Sequence, residues 1–86
     1  MPQNIEKFRT RIDQLDSQIV DLLIQRFLVN AQMGSYKKQN KLPILVPERE
    51  QEILTNLKNN CPLPSLHGPI EEVYRAIFKA SHALQE

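Results

Sequence analysis

The chain has 86 residues, of which 41% are hydrophobic, and its 11 lysines and arginines against 10 acids give a formal net charge of +1. A chain of this length forms one domain and buries only about 60 to 65% of the surface that its unfolded form exposes, so its core alone is marginal. The near balance of charges provides no overall field of the kind that attracts nucleic acid or a membrane surface, and neither is expected as a partner.

Cysteine and histidine usage excludes an internal disulfide and argues against a metal centre. The single cysteine, Cys61, has no second cysteine to pair with, and the two histidines, His67 and His82, are too few and too distant to complete a metal site. The first ten residues lack the apolar run of a signal peptide, and no window approaches the roughly 20 apolar residues of a membrane span. We therefore expect a soluble, cytoplasmic protein with a reduced thiol and no metal.

A long helix over residues 5–39 is the first predicted element. Its apolar residues recur at alternating intervals of three and four, the rhythm of a helix with one apolar seam. Asn4 is the predicted N-cap, and nothing up to Gln39 must break the helix, since Gly34 costs only about 1 kcal/mol relative to alanine. The seam comprises Ile5, Phe8, Ile12, Leu15, Ile19, Leu22, Val29, Met33 and Tyr36.

The length of this helix predicts a partner chain. At about 1.5 Å per residue the helix is about 50 Å long, whereas a compact globule of this size has a radius of gyration of about 12 Å. A helix that bridges solvent would be polar all round, and this one has an apolar seam. The most economical solution is a two-fold homodimer in which the long helices lie against each other.

Two shorter helices follow. Pro47 suits the first position of a second helix, which a run of asparagine, cysteine and proline at 59–62 ends. A third helix begins near Ser65 or at Gly68, and the proline-bracketed apolar run 44–46 gives only a weak strand signal. The predicted inner faces are Ile53, Leu54 and Leu57 on the second helix and Ile70, Val73, Tyr74, Ile77, Ala80, Ser81 and Leu84 on the third. The predicted fold class is all-α, with one long, one short and one medium helix per chain in an intertwined homodimer.

Arg26 interrupts the seam of the first helix at a point where its rhythm requires an apolar residue. Since a buried, unpaired guanidinium is costly, Arg26 lies at the surface where the seam opens, pairs with a carboxylate or awaits an anion. Lys37 projects from nearly the same face about 16 Å away, so the two long side chains can converge on one small molecule. Arg9 points about 100° off that face and would reach a different site, such as one on a partner chain.

Polar residues on the shorter helices are less specific. Ser81 and Gln85 lie one turn apart on the third helix, but a serine there is typically a packing residue and a C-terminal glutamine is typically solvated. In the first turn of the second helix Glu50 gains from the helix dipole and Arg49 does not, so Arg49 needs another reason to be there. No role is expected for five further residues: His67 and His82 are predicted to face solvent, Lys38 and Lys41 to be ordinary surface charges, and Cys61 to be a loop thiol.

Three sequence blocks together carry a family resemblance. FRTRIDQLDSQIVDLLIQR, MGSYKKQNKLPILVPERE and FKASHALQ span nearly the whole chain. The first contains the pattern I-D-x-L-D-x-x-I-x-x-L-L-x-x-R, which is specific when G-x-x-K and P-E-R-E follow at these distances. The chain resembles the all-helical AroQ class of chorismate mutases, with residues 1–86 as a single chorismate mutase domain.

The resemblance implies a dimer of three-helix protomers, in which each site is lined mainly by one chain and completed by an arginine of the other. Carried over by position, Arg9 would be that arginine, and KLPILVPERE would be the loop that closes over the site and begins the second helix. The other implied roles are a substrate carboxylate for Arg26, the ether oxygen and a carboxylate for Lys37, the anion-binding network for Arg49, the ring hydroxyl for Glu50, a carboxylate for Ser81 and the ether oxygen for Gln85.

Val46 departs from the family pattern, which usually has aspartate just before the proline of P-E-R-E. Valine is a poor N-cap, so the second helix is expected to lose about 1 kcal/mol of capping. It also offers no side-chain hydrogen bond to the substrate hydroxyl. A family contact made by the backbone N–H at this position would survive the change, whereas a contact made by the carboxylate would not.

The implied reaction is the [3,3] rearrangement of chorismate to prephenate in phenylalanine and tyrosine biosynthesis, with no covalent intermediate, metal or cofactor. The protein must fold a flexible dianion into a compact chair and stabilise charge that grows on the ether oxygen, a task for cationic and amide donors. An isochorismate pyruvate-lyase of the same fold is the nearest alternative, although those enzymes tend to lack the glutamate matching Glu50. A low-activity regulatory or docking module of a shikimate-pathway enzyme is a third hypothesis, which only Val46 favours.

Overall fold

Three α-helices make up the computed structural model, which describes residues 2–86. They are α1 (Pro2–Gln39), α2 (Pro47–Asn59) and α3 (His67–Gln85), and a 3₁₀ turn at Pro64–Leu66 leads into α3. The helices contain 38, 13 and 19 residues, and no strand occurs in this part of the chain. The predicted all-α class, with one long, one short and one medium helix, is confirmed. A bilayer-crossing segment is not found among these helices.

The start of α1 lies at Pro2, so the prediction that Asn4 caps this helix is wrong. Asn4 is instead the third helical residue. Proline is favoured in the first turn of a helix because its missing N–H would have no partner there and its fixed φ is already helical. The helix therefore includes three residues, 2–4, that precede the predicted start at Ile5.

A Schellman motif around Lys41 closes the C-terminus of α1. The backbone N–H of Leu42 donates to Lys37 O at 2.8 Å, and that of Lys41 donates to Lys38 O at 3.3 Å. Lys41 has a left-handed φ of 56°, a conformation that glycine adopts without strain and lysine does not. The motif reverses the chain, and the ammonium group of Lys37 then donates to Ile44 O at 2.9 Å.

The second helix begins at Pro47 as predicted, without a side-chain cap. Val46 occupies the N-cap position and its carbonyl accepts backbone N–H groups of the first turn, but its side chain makes no capping hydrogen bond. The missing cap expected from valine is thereby confirmed. The predicted inner face is confirmed as well, because Leu54 is buried and Ile53 and Leu57 are half-buried.

The third helix packs against both α1 and α2, which places it at the centre of the fold. It begins at His67, between the two predicted starts. Phe78 is buried, and its ring meets that of Tyr74 edge to face with centroids 6.0 Å apart. Three residues of the predicted buried face are exposed: Val73, Ala80 and Leu84. The prediction is wrong for these three within one chain, because the apolar stripe of α3 is wider than its contact with the other helices.

The hydrophobic core of one chain is small. Within residues 4–86, the buried hydrophobic side chains are those of Leu54 and Phe78, with 3% and 6% of their surface exposed. The predicted seam of α1 is exposed, and Phe8 has 67% of its surface accessible. The radius of gyration is 16.4 Å and the longest dimension 58 Å, against a radius of about 12 Å for a compact chain of this length. One chain therefore leaves a long apolar helix face uncovered.

A cluster of charges links α2 to α3. Lys58 on α2 donates to Oε1 of Glu71 on α3, and Arg75 donates to Oε2 of the same carboxylate at 2.9 Å. The hydrogen bond from Lys58, reinforced by that from Arg75, lowers the pKa of Glu71 below its ordinary value. The folded protein therefore favours the ionised form of this carboxyl group.

Candidate active site

A cavity of about 460 Å³ lies between the second half of α1, the loop before α2, the start of α2 and the second half of α3. Its volume falls in the range typical of small-molecule sites. Seven of the eight site residues predicted from the sequence line it: Arg26, Lys37, Val46, Arg49, Glu50, Ser81 and Gln85. Residues from all three helices are thus brought to one place, although the first and last of them are far apart in sequence.

Arg26 is half-buried in this cavity and held by two neutral groups. Its Nη1 donates to Oδ1 of Asn30 at 3.1 Å and to Oγ of Ser81 at 2.8 Å. No carboxylate lies within ion-pair distance of it among the residues that the structure describes. Since a guanidinium has five N–H groups, three remain available to an incoming anion. The sequence left three interpretations of Arg26 open. Of these, pairing with a carboxylate is excluded within residues 4–86.

Ser81 acts as an anchor for Arg26 in this arrangement. Its hydroxyl accepts from Arg26 and donates its own proton to Ile77 O at 2.8 Å, and only 3% of the residue is exposed. A hydroxyl has one proton, so contact with a substrate carboxylate as a donor requires Ser81 to rotate away from Ile77. Asn30, buried one turn along α1 from Arg26, is a second anchor that the sequence analysis missed.

Lys37 occupies the other end of the cavity. Its ammonium group donates to Ile44 O at 2.9 Å and to Oε1 of Gln85 at 2.7 Å. A lysine ammonium has three N–H groups, so one remains for a ligand. The first of these bonds ties the loop before α2 to α1, and the second ties α1 to the end of α3.

Gln85 is buried rather than solvated, with 4% of its surface exposed, so the general expectation for a C-terminal glutamine is wrong here. Its Oε1 accepts from Lys37, and one N–H of its amide donates to Ser81 O at 3.3 Å. A primary amide has two N–H groups, which leaves the second as a neutral donor. Helical spacing did not predict this burial. It results from the packing of α3 on α1, which brings Gln85 against Lys37.

Gly34 permits this close packing. A Cβ atom built on Gly34 would lie 2.6 Å from Cα and 2.7 Å from the carbonyl oxygen of Gln85. Carbon atoms in ordinary contact are about 3.5 to 4.0 Å apart, so any side chain at this position would displace the end of α3. The spacing G-x-x-K therefore has a physical basis: Gly34 admits the Gln85 backbone, and Lys37, one turn later, receives its side chain.

The residues of α2 form a more exposed edge of the site. Arg49 is exposed and pairs with Glu52, one turn along the same helix. Val46 is half-buried and contributes an apolar surface where the family pattern has a carboxylate. Glu50 is half-buried, and its Oε2 accepts a hydrogen bond from Nε2 of His82 on α3.

The prediction that both histidines face solvent is wrong. His67 is half-buried and its Nε2 donates to Cys61 O at 3.0 Å, while His82 is half-buried and lines the cavity. Helical spacing carried a usable signal for His82, since it follows Phe78 by four residues and precedes Gln85 by three. The remaining three expectations hold, because Lys38 and Lys41 are exposed and Cys61 is a free loop thiol.

Arg9 lies outside the cavity of its own chain. It is exposed and pairs with Glu6 at 3.0 Å. Along a helix at about 1.5 Å per residue it stands about 25 Å from Arg26, which is far beyond the reach of an arginine side chain. Arg9 therefore does not reach the cavity of its own chain, and the expectation that it serves a different site stays a prediction.

The electrostatics of the cavity favour an anion with an apolar body. Three cationic side chains line it against one carboxylate, and that carboxylate is engaged by His82. The remaining surface is hydrocarbon, supplied by Val29, Met33, Ile44, Val46, Ile53 and Phe78. Charges partly removed from water act more strongly than exposed ones, so the chemistry of this cavity suits a small anion with an apolar body.

Fold and site together define a small all-helical protein with a cavity that residues of all three helices line, three of them cationic. Comparison with known families identifies it further. The family model of chorismate mutase type II matches residues 8–86, and the chain belongs to that family. The family resemblance inferred from the sequence is confirmed.

Individual relatives agree with this assignment. The chain is 33% identical over 86 residues to the T-protein of Enterobacter agglomerans and 36% identical over 88 residues to the bifunctional chorismate mutase/prephenate dehydratase of Aquifex aeolicus. These matches include 95% and 98% of the chain but only 22% and 24% of the relatives, so the chain corresponds to about a quarter of each. The chorismate mutase of Methanocaldococcus jannaschii is 25% identical over 87 residues, with all of the chain and 88% of the relative matched.

Proposed function

We propose that the chain is a chorismate mutase, an isomerase that converts chorismate to prephenate in aromatic amino-acid biosynthesis. Membership of the family supports the reaction. The observation that carries the proposal for this chain is the placement of Arg26 and Lys37 in one cavity, each half-buried and each with unused N–H groups. The domain proposed to act in this way comprises residues 1–86, and we propose a cytoplasmic location for it.

The rearrangement needs no nucleophile or proton transfer. It needs a binding site that holds the substrate in a compact chair and stabilises negative charge on the ether oxygen as its bond breaks. The third N–H of Lys37 and the second N–H of Gln85 are suited to that oxygen, since the hydrogen bond between these two side chains keeps them side by side. Arg26 binds a substrate carboxylate with the N–H groups that Asn30 and Ser81 do not use.

The remaining site residues have supporting roles in this proposal. Arg49 adds positive charge at the edge of the cavity, and Glu50 accepts a hydrogen bond from the ring hydroxyl. Ser81 keeps Arg26 in place and contacts a carboxylate after rotating away from Ile77. Val46 supplies apolar contact and its backbone N–H, in place of the carboxylate usual in the family.

A homodimer completes the site in this proposal, with Arg9 of each chain reaching the cavity of the other. The exposed seam of α1 supports the dimer, because residues such as Phe8 and Ile12 are covered only if a second helix packs on them. The position of Arg9, about 25 Å along α1 from its own cavity, supports its assignment to the partner's site. Sedimentation or light scattering should give a mass near twice that of one chain.

A prephenate-formation assay on matched variants tests the catalytic assignment. Lys37→Ala and Arg26→Ala are expected to lower kcat/KM by about 100-fold or more, as losses of preorganised donors typically do. Lys38→Ala is the control, because this neighbouring lysine is exposed and does not line the cavity. Near wild-type turnover by Lys37→Ala or Arg26→Ala in a folded protein would contradict the roles given to them.

The two alternative hypotheses, a lyase and a non-catalytic module, predict different turnover of chorismate and isochorismate. An isochorismate pyruvate-lyase would consume isochorismate in preference to chorismate, whereas the presence of Glu50 in the cavity favours the mutase. A regulatory or docking module would bind a transition-state analogue or a partner without turnover. Parallel assays with chorismate and isochorismate therefore distinguish all three, and a faster reaction with isochorismate would contradict the proposal.

A further inference from the structure

His82 and Glu50 form a contact across the cavity that the proposed reaction does not explain. Nε2 of His82, on α3, donates to Oε2 of Glu50, in the first turn of α2. Their side chains are 30% and 27% exposed, so both are partly withdrawn from water at the wall of the site. This hydrogen bond joins a residue with a proposed substrate contact to one that has no role so far.

Glu50 is the one carboxylate among the cavity-lining residues that the structure describes, and Arg26, Lys37 and Arg49 line the same cavity. A carboxylate free to rotate there would pair with a cation and compete with an anionic substrate. In the structure it does not, because Glu50 accepts a hydrogen bond from His82, while Arg49 pairs with Glu52. Arg26 and Lys37 contact only neutral groups, so both keep their charge available to an anion.

The two carboxylate oxygens of Glu50 differ in their hydrogen bonding. Oε2 is occupied by His82, and Oε1 has no hydrogen-bond partner among residues 4–86. An ionised carboxylate only accepts hydrogen bonds, so Oε1 is suited to the hydroxyl proton of a bound substrate. A carboxylate fixed at one oxygen loses less conformational freedom on binding than one free to rotate.

We propose that His82 is a positioning residue, which fixes Glu50 so that Oε1 accepts the substrate hydroxyl and the carboxylate does not turn toward the cations. This role rests on the proposed function. His82 acts through Glu50 and not through the substrate. Because the Glu50 contact is made in the ground state as well as the transition state, its loss should raise KM and leave kcat nearly unchanged.

Kinetics of matched variants test this role. His82→Leu removes the donor and is expected to raise KM for chorismate on the order of five-fold, with kcat within about two-fold of wild type. His82→Gln places an amide N–H near the position of Nε2 and should restore most of the lost affinity. His67→Leu is the control, since His67 is also half-buried and hydrogen-bonded through Nε2 but does not line the cavity.

A double-mutant cycle shows whether His82 acts through Glu50. In a Glu50→Ala background, His82→Leu should have no further effect on KM, because the carboxylate it positions is gone. If the double variant raises KM by the product of the two single increases, the proposal is overturned, because His82 would then act on the substrate independently of Glu50. An unchanged KM for His82→Leu in an active enzyme would overturn it as well, and wild-type protein that forms no prephenate would refute the proposed function instead.

A spectroscopic measurement tests the contact without turnover. The chain contains two histidines, so ¹⁵N-histidine labelling gives two ring systems, which His67→Gln assigns. The Nε2–H of His82 should give a proton signal protected from exchange with water, and Glu50→Ala should abolish it while the fold is retained. The absence of this signal in the wild-type protein, or its persistence in Glu50→Ala, would overturn the proposal even if His82→Leu failed to fold.

Discussion

Replacing Gly34 with alanine is expected to remove most of the activity of the protein while leaving most of its stability. The added Cβ would lie 2.6 Å from Cα of Gln85, so the two helices must separate by about 1 Å to reach an ordinary contact of about 3.5 Å. Gln85 ends α3, and the last turn of a helix can lift away more easily than its middle. The displacement should therefore fall on the hydrogen bond of 2.7 Å between Lys37 and Gln85.

The two effects of this substitution differ in size. Overpacking costs about 1 to 3 kcal/mol, and alanine regains about 1 kcal/mol of helix propensity, so unfolding should become easier by at most about 2 kcal/mol. A misplacement of about 1 Å at a catalytic group can reduce the rate by about 100-fold. We expect a loss of that order in kcat for Gly34→Ala, measured by prephenate formation.

Gly68→Ala is the matched control. Gly68 is also helical, but nothing lies within 4 Å of a Cβ built there, so alanine meets no obstacle and is expected to stabilise the chain by up to about 1 kcal/mol. Its kcat should equal that of the wild type. Wild-type kcat in Gly34→Ala, with urea unfolding unchanged, would refute the idea that close approach of Gly34 and Gln85 positions the amide.

Three further substitutions test the helix ends and the charged cluster. Glu71→Gln should lower the free energy of unfolding at pH 7, because the lowered pKa of Glu71 stabilises the folded state above the ordinary value of 4.5. That contribution is lost as the pH falls through the lowered pKa, so the difference in urea unfolding between the two proteins should be present at neutral pH and shrink as the solution is acidified below 4.5. A difference that stays constant with pH would contradict it. Lys41→Gly should raise the free energy of unfolding by about 1 kcal/mol, since glycine adopts the left-handed φ without strain, and an unchanged urea midpoint would count against that strain. Val46→Asp should add a side-chain cap to α2 and stabilise the protein by about 1 kcal/mol, with Val46→Leu as the control that adds no cap and should show no gain.

Local periodicity predicted much of the fold and part of the site. The spacing of apolar residues gave the extent of α1 to Gln39, and Pro47 gave the start of α2, because helix propagation and proline chemistry are properties of neighbouring residues. The same helical geometry placed Arg26 and Lys37 on one face and Arg9 on another. These relations depend only on the regular rise and rotation of one helix.

Tertiary contacts account for what the sequence did not predict. The burial of Gln85 and the contact between His82 and Glu50 depend on how α3 lies against α1 and α2, and partners 48 and 32 residues apart are not related by any local period. The prediction of Asn4 as the N-cap was wrong for a local reason, because the helix already begins at Pro2. The exposure of Val73, Ala80 and Leu84 was not predicted either, because it depends on how much of α3 the other two helices cover.

Subunit mixing tests most directly whether two chains share each site. Arg9→Ala and Lys37→Ala homodimers should each be nearly inactive. If Arg9 serves the partner's cavity, mixing equal amounts after subunit exchange creates heterodimers with one intact site, and activity should recover to about a quarter of the wild-type value. If Arg9 serves its own chain, every site carries a substitution and no activity returns; that result would contradict a shared site.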